Sequence, residues 1–500
     1  MSVVVFVLAA ILLGLVYIFY QYNHDHTVQD CDRHSVLIAA INDADAKLRL
    51  STVDLAEALR IRTVTSVEMV NLYIKQVETC NPYINAVCSK RYEGARAEAR
   101  LADERLDTAV KDPSLRDTLP AFLGVPYIVK ELHEYPGMSY TCGIPGREGM
   151  VGQKMHPVLK RMETAGGIAL VSGNVSEGAM WAESFNPIYG YTHNPYDLTR
   201  TVGGSSGGNS ALVTALCGSF SITADVGGST RIPAMYNGVF GHKPSGGAIP
   251  NARSWPPCHG KVERYCQLGP TTRYAKDLMP LLRIMSHPLD ISTELPDADA
   301  EERAYQEEQV VWHRKFDWPD VRTVDTKKLR YFVCYEQPGV VVGMRTQRSQ
   351  CVINAQNKIV RTLERECGVT VQPITFNGFK KCFDIWAAML GTANAKTPFK
   401  GIISQGKDTI SPFWELLKWV VTWGRASDHT LPAIGLACAE VFNDLDPKRK
   451  EEMIKLGEEL RDEINAVLGD DGVMVFQSLP TPAARHGALP NLLYFADYAT

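Results

Sequence analysis

Two serine–glycine clusters carry the chemistry this sequence can offer. TVGGSSGGNS, residues 201–210, sets Ser205 and Ser206 between Gly203-Gly204 and Gly207-Gly208. DVGGSTRIP, residues 225–233, places a second Gly-Gly-Ser around Ser229. Fixing glycine costs more backbone entropy than fixing any other residue, so four around two hydroxyls signal unusual geometry or close approach. A phosphate-binding P-loop needs G-x-x-x-x-G-K-[ST], and no lysine follows these glycines. A dinucleotide fingerprint needs G-x-G-x-x-G after a strand, a spacing not found here. Residues 203–207 do match G-x-S-x-G, the nucleophile elbow. That elbow needs an apolar strand before its serine, whereas residues 194–200 (NPYDLTR) read as a polar turn.

The third use is an oxyanion hole. Consecutive glycines let backbone N–H groups converge on one point, and DVGGSTRIP follows the apolar SFSITA, which reads as a strand. Ser229 would then be a nucleophile, and the amides of Val226, Gly227, Gly228 and Ser229 its anion-binding donors. A serine hydroxyl needs a base. Lys130 ends the apolar run FLGVPYIVK, residues 122–130, a position that projects a side chain from a packed sheet. A lysine accepts a proton only when neutral. Half-neutrality at pH 7 asks for a pKa about 3.4 below the reference of about 10.4, a cost of about 4.6 kcal/mol. Burial supplies shifts of that size, and a partial shift gives an alkaline pH optimum. Glu131 would oppose the shift, but strand alternation turns it to the opposite face. Taken alone, a lysine at a strand end is more often solvated, and Ser229-Thr230 is equally an ordinary helix cap. Asp225 and Arg231 are either a pair bracing the loop or two surface charges. Ser206 is at most a support for the loop.

GGSSGG, DVGGSTRIP and a lysine closing a GVP-containing strand together resemble the amidase signature family. The resemblance implies a Ser–cis-Ser–Lys triad, with Lys130 as base, Ser205 as bridging serine on a cis peptide and Ser229 as nucleophile. Further stretches in order, NPYDL, NGVFGHKPS, SPFWELLKW and LGDDGV, are similar to the fatty-acid amide hydrolases of that family that carry one N-terminal anchor. The likeness runs from about residue 54 to 485. It implies a serine amidase releasing free fatty acid and amine from primary fatty amides or N-acylethanolamines, with no cofactor and no metal. It also implies an α/β fold, a large mixed central sheet covered by helices on both faces. A non-lipid amide or ester substrate stays open. Asn209 stands where relatives often carry Glu, and Thr230 where Ile is usual. Relatives continue for several dozen residues past SLPTPAARHGALP, whereas this chain closes on LPNLLYFADYAT, so a C-terminally truncated and impaired homologue also stays open.

The elements that must hold these residues follow from patterning. With 45% hydrophobic and 22% charged residues in 500, the composition is that of a globular protein, and a net charge of −4 gives no footprint for nucleic acid. Strands at 122–130 and 168–172 alternate with helices at 156–165, 207–216 and 450–468, the pattern of an α/β fold. Thr65-Ser66-Val67-Glu68 is a capping box opening a helix that Asn81-Pro82 should stop. Residues 3–20 form an uncharged apolar run ending in aromatics, read as an uncleaved transmembrane anchor spanning 1–21. A polar tether follows at 22–50, then one amidase domain at 51–500. The implied setting is an endomembrane or lipid-droplet surface, with a lipid amide as substrate and a homodimer possible. Twelve cysteines without a C-x-x-C pair read as free thiols rather than a zinc site. Residues 411–423, SPFWELLKWVVTW, form a helix with few polar positions. It packs in the core, lines an acyl channel or rests on a membrane interface. Asn174-Val175-Ser176 is a glycosylation sequon expected to be unused, since it follows the IALVS strand.

Overall fold

The computed structural model describes residues 30–258, 262–286, 288–310, 318–335, 348–393, 398–405, 410–422, 424–443 and 445–487. The apolar run 3–20 and the closing LPNLLYFADYAT lie outside the described residues. No helix among the described residues is long and apolar enough to cross a membrane.

Ser66–Ile84 (α1) opens at Thr65 with the expected capping box, in which Thr65 accepts from the Glu68 amide and Glu68 reaches back to the Thr65 amide. The helix does not stop at Pro82 but continues to Ile84. Asn85, in the left-handed region, closes it, and the Asn81 side chain takes the amides of Ala86 and Val87 at 2.8 and 2.9 Å. Val87–Lys90 (β1), Tyr92–Lys111 (α2), Pro126–Lys130 (β2), Pro157–Thr164 (α3) and Ile168–Gly173 (β3) follow. Next come Gly207–Thr214 (α4), Phe220–Asp225 (β4), Arg231–Asn237 (α5), Phe240–Gly241 (β5), Gln267–Thr272 (β6) and Leu278–Met285 (α6).

The main sheet has six strands in the order β1-β3-β2-β4-β6-β5. Its heart is parallel, β3 and β4 flanking β2, while β1 and β6 run antiparallel to their neighbours, so the sheet is mixed. Every residue of β2, β3, β4 and β6 is buried. That requires cover on both faces, and it explains why β2 and β3 read as apolar runs. β2 starts four residues later than the run beginning at Phe122 suggests, because the chain turns at Gly124 with φ +85°.

A second, parallel sheet forms in the C-terminal third. Arg330–Cys334 (β7), Gln350–Cys367 (α7), Val371–Ile374 (β8), Cys382–Ala393 (α8), Pro412–Thr422 (α9), Leu431–Asn443 (α10), Pro447–Leu468 (α11) and Gly472–Val475 (β9) complete the described elements used below. The order is β8-β7-β9. The mixed architecture expected from the sequence is therefore present, with this smaller sheet beside the main one.

Residues 194–200 are not a simple turn. Asp197–Thr201 is a strand paired with His193–Asn194, and the Thr201 amide donates to Ala484 O at 2.9 Å. The α9 helix has two characters. Trp419 is buried against Ile434 and Cys438 of α10, whereas Trp414 and Val421 are 58% and 68% exposed. The core reading holds for one face only, and α9 lines no part of the cavity described below.

Candidate active site

Lys130 closes β2, beside Gly173 of β3 and one strand from β4. It is 1% exposed. Its Nζ donates to Ser205 Oγ at 2.8 Å and to Ala224 O at 3.1 Å. Burial lowers the Lys130 pKa to about 8, against smaller opposing effects of the Cys142 and Cys266 thiols and Asp225. Glu131 next to it points elsewhere, accepting from Thr141 N, Thr141 Oγ1 and Cys142 N at 2.7–2.9 Å. Burial raises Glu131 to about 7, and those donors hold it from rising further.

Ser205 follows a cis peptide from Gly204 and is fully buried. The glycines around it answer to packing. A Cβ on Gly204 would lie 2.3 Å from Trp181 O, and one on Gly208 would lie 2.3 Å from Asn174 N. Both obstacles are backbone and cannot step aside. Gly208→Ala should therefore lower stability by about 1–3 kcal/mol in urea unfolding, with the midpoint shifted and the slope kept. Ser184, which residue spacing did not single out, clamps this loop. Its Oγ donates to Ser205 O at 3.2 Å and accepts from Gly207 N at 2.8 Å. Ser206 gives its amide to Ser229 O at 3.1 Å and its hydroxyl to Ala224 O at 3.5 Å, tying the two serine loops together.

Asp225 ends β4 and organises the second loop. It is fully buried, and Arg231 donates to it twice, from Nε and Nη2, each at 2.9 Å. The amides of Gly228, Thr230 and Arg231 donate at 2.7, 3.1 and 3.3 Å. Burial opposes its ionisation, but the Arg231 guanidinium and these amides hold the carboxyl well below the usual carboxylate range. Of the two readings of Asp225 and Arg231, the bracing pair is the one present. One donor must be struck from the expected set. The Gly228 amide is spent on Asp225, so it is closed to a ligand in this conformation. Among the described residues, the amides of Val226, Gly227 and Ser229 carry no hydrogen bond, and neither does the Ser229 hydroxyl. Buried backbone donors are nearly always paired, so three open N–H groups on one loop mark a place for an acceptor.

Lys130, Ser205, Asp225, Val226 and Ser229 line one cavity of about 380 Å³. Its far wall is Phe383, Trp386 and Leu390 of α8, with Phe399, Ile402 and Leu436. These residues carry no sequence signal beyond a run of apolar positions such as CFDIWAAML. Among the described residues no group of three or more His, Cys, Asp or Glu is placed to hold a metal ion. Asn209 sits behind the site, its Nδ2 on Ser221 Oγ at 2.7 Å. The sequon residue Asn174 is buried, its Nδ2 donating to Gly190 O at 3.1 Å and Thr192 Oγ1 at 3.0 Å.

The family model described as Amidase matches residues 68–496. Fatty-acid amide hydrolase 2-A of Danio rerio is 36% identical over 446 residues, 88% of this chain and 77% of the relative. Fatty-acid amide hydrolase 2 of Homo sapiens is 34% identical over 443 residues, 88% of this chain and 78% of the relative. The solved structure of a fatty acid amide hydrolase superimposes with a TM-score of 0.64 over 90% of this chain and 71% of that chain. Their identity is 18%, so this last likeness speaks to the fold alone.

Proposed function

Because this chain belongs to the amidase family and has its mixed α/β fold, we propose that it hydrolyses long-chain fatty-acid amides through Lys130, Ser205 and Ser229. The observation that carries the catalytic part is the buried Lys130 Nζ at 2.8 Å from Ser205 Oγ, in the cavity that Ser229 also lines. Neutral Lys130 takes the Ser205 proton as Ser205 takes that of Ser229. Ser229 Oγ attacks the amide carbonyl carbon. The negative charge that develops on the carbonyl oxygen meets the open amides of Val226, Gly227 and Ser229, each such donor being worth about 2.7–4 kcal/mol in the transition state. The C–N bond breaks as Ser205 returns a proton to the departing amine. Water then attacks the acyl-enzyme and frees the fatty acid. Asp225 and Arg231 keep the donor loop rigid, and Ser206 and Ser184 keep the relay serine aimed.

The substrate part rests on the apolar cavity wall and on relatives named as fatty-acid amide hydrolases. The exposed apolar face of α9, with Phe413, Trp414, Leu417 and Val421, fits contact with a lipid surface. An anchor at residues 3–20 would keep the enzyme where such substrates dissolve. The test is a series of straight-chain primary amides. Each methylene buried in the cavity should raise kcat/KM about fourfold, following about 0.8 kcal/mol per CH₂, until the cavity is full. A kcat/KM that stays level from short to long chains would refute the lipid reading and leave the amidase assignment standing.

A further inference from the structure

The last described residues of the chain reach back to the loop that carries Ser205. That loop has an entry and a bed. Its entry is the strand Asp197–Thr201, whose Thr201 Oγ1 accepts from Gly203 N at 3.0 Å. Its bed is the backbone of residues 182–184. Ser184 N donates to Gly203 O at 3.0 Å, and a Cβ on Gly204 would lie 2.7 Å from Glu183 N. His486 holds both. Its amide donates to Thr199 O at 3.2 Å, beside the Arg200 guanidinium on Ala483 O at 2.6 Å. Its side chain reaches Glu183, with Nδ1 2.7 Å from Oε1, while the Gly487 amide donates to Oε2 at 3.1 Å. Glu183 is buried, where a carboxylate needs such donors. The hydrogen bonds also fix where the protons are. His193 Nδ1 lies 2.9 Å from Leu198 O and 3.0 Å from His486 Nε2. A carbonyl oxygen only accepts, so His193 Nδ1 carries a hydrogen, and His486 Nε2 beside it is an acceptor. The hydrogen of His486 is then on Nδ1 and is donated to Glu183. His486 is thereby a neutral imidazole held in one tautomer between two partners, with the Tyr191 ring 5.2 Å away between centroids.

We propose that His486 is a positioning residue for the amide hydrolysis set out above, and the proposal rests on that reading. By gripping Glu183 with its side chain and Thr199 with its amide, His486 keeps the bed of residues 182–184 in register with the strand Asp197–Thr201. Ser205 Oγ is thereby kept at 2.8 Å from Lys130 Nζ. His193 orients the imidazole, and Glu183 passes the constraint to Ser184, whose Oγ donates to Ser205 O. Each proton transfer of the relay needs hydrogen-bond distance. A loosened loop therefore slows the chemical step and leaves the apolar cavity wall on α8 as it is.

An asparagine and a glutamine at this position tell the role apart from simple support of the fold. In His486→Asn the side-chain amide nitrogen takes the place of Nδ1 and still donates to Glu183. In His486→Gln it takes the place of Nε2, and the bond to Glu183 is lost. Competent sites in the full chain are counted by fluorophosphonate labelling carried to completion. Hydrolysis of a straight-chain primary amide is then expressed per labelled site. His486→Gln should lose about tenfold or more in kcat with KM within about twofold, and should label more slowly to the same final extent. His486→Asn should stay within about threefold of the parent in kcat. A kcat per site in His486→Gln equal to that of the parent would overturn the proposal. So would fewer labelled sites with full activity in those that remain, a fall shared equally by His486→Asn, or a raised KM with kcat kept. If the parent protein itself neither labels at Ser229 nor hydrolyses amides, the catalytic reading fails and this assignment falls with it. A parent that does both while the variants match it loses this assignment alone.

Discussion

Ser229→Ala is expected to remove amide hydrolysis by about six orders of magnitude, the scale on which loss of a nucleophilic serine acts in a serine hydrolase. It should also abolish covalent labelling by a fluorophosphonate probe. The fold should not suffer. Ser229 Oγ has no hydrogen-bond partner among the described residues, so its removal strands no buried donor or acceptor. The thermal midpoint of the variant should match that of the parent, which separates lost chemistry from lost structure. Probe labelling that persists in Ser229→Ala would transfer the nucleophile's role to another hydroxyl and end the proposed mechanism.

Lys130 carries the second large effect. A positioned general base contributes about 10²–10⁴ in rate, and Lys130→Ala should lose at least that. Lys130→Arg is the sharper variant. It keeps the positive charge and most of the length, yet a guanidinium does not give up its proton at any working pH. It should be as inactive as Lys130→Ala, whereas a lysine serving only as a fixed charge would tolerate arginine. The sign of the pH dependence follows from the same group. Burial lowers the Lys130 pKa to about 8, and the form that accepts a proton is the neutral one. At pH 7 about a tenth of the enzyme holds that form. The rate kcat/KM should climb nearly tenfold per pH unit from pH 6, bend near pH 8 and level above it. A profile flat between pH 6 and 9 in the parent protein would count against neutral Lys130 as the base.

Some of this was legible in the residues alone. The capping box of α1 is written in four consecutive residues, and its geometry is as the pattern predicts. The buried strands β2 and β3 announce themselves as apolar runs, because a strand covered on both faces needs no polar side. The position of Lys130 at the end of such a run is likewise local information. Where reading failed, the deciding interactions come from far along the chain. Residues 194–200 look like a turn because their strand pairs partly with the segment near Ala484, a contact no short window contains. Pro82 is the exception, a local misreading: it fails to end α1 because its neighbours Asn81 and Asn85 close the helix beyond it.

By itself the sequence determined the chemical inventory: which hydroxyls sit among glycines, which amine ends an apolar strand, and which helices and strands must surround them. The tertiary structure alone decided how that inventory meets. It puts the Lys130 amine on the Ser205 hydroxyl across a sequence separation of 75. It turns Asp225 and Arg231 into a buried brace, and it spends the Gly228 amide on that brace while leaving its neighbours open. It also draws the cavity wall from helices more than a hundred residues downstream. The physical reason is that propensity, capping and apolar patterning act over a few residues. Distance, burial and the acidity of a side chain depend on whatever the whole chain packs around it.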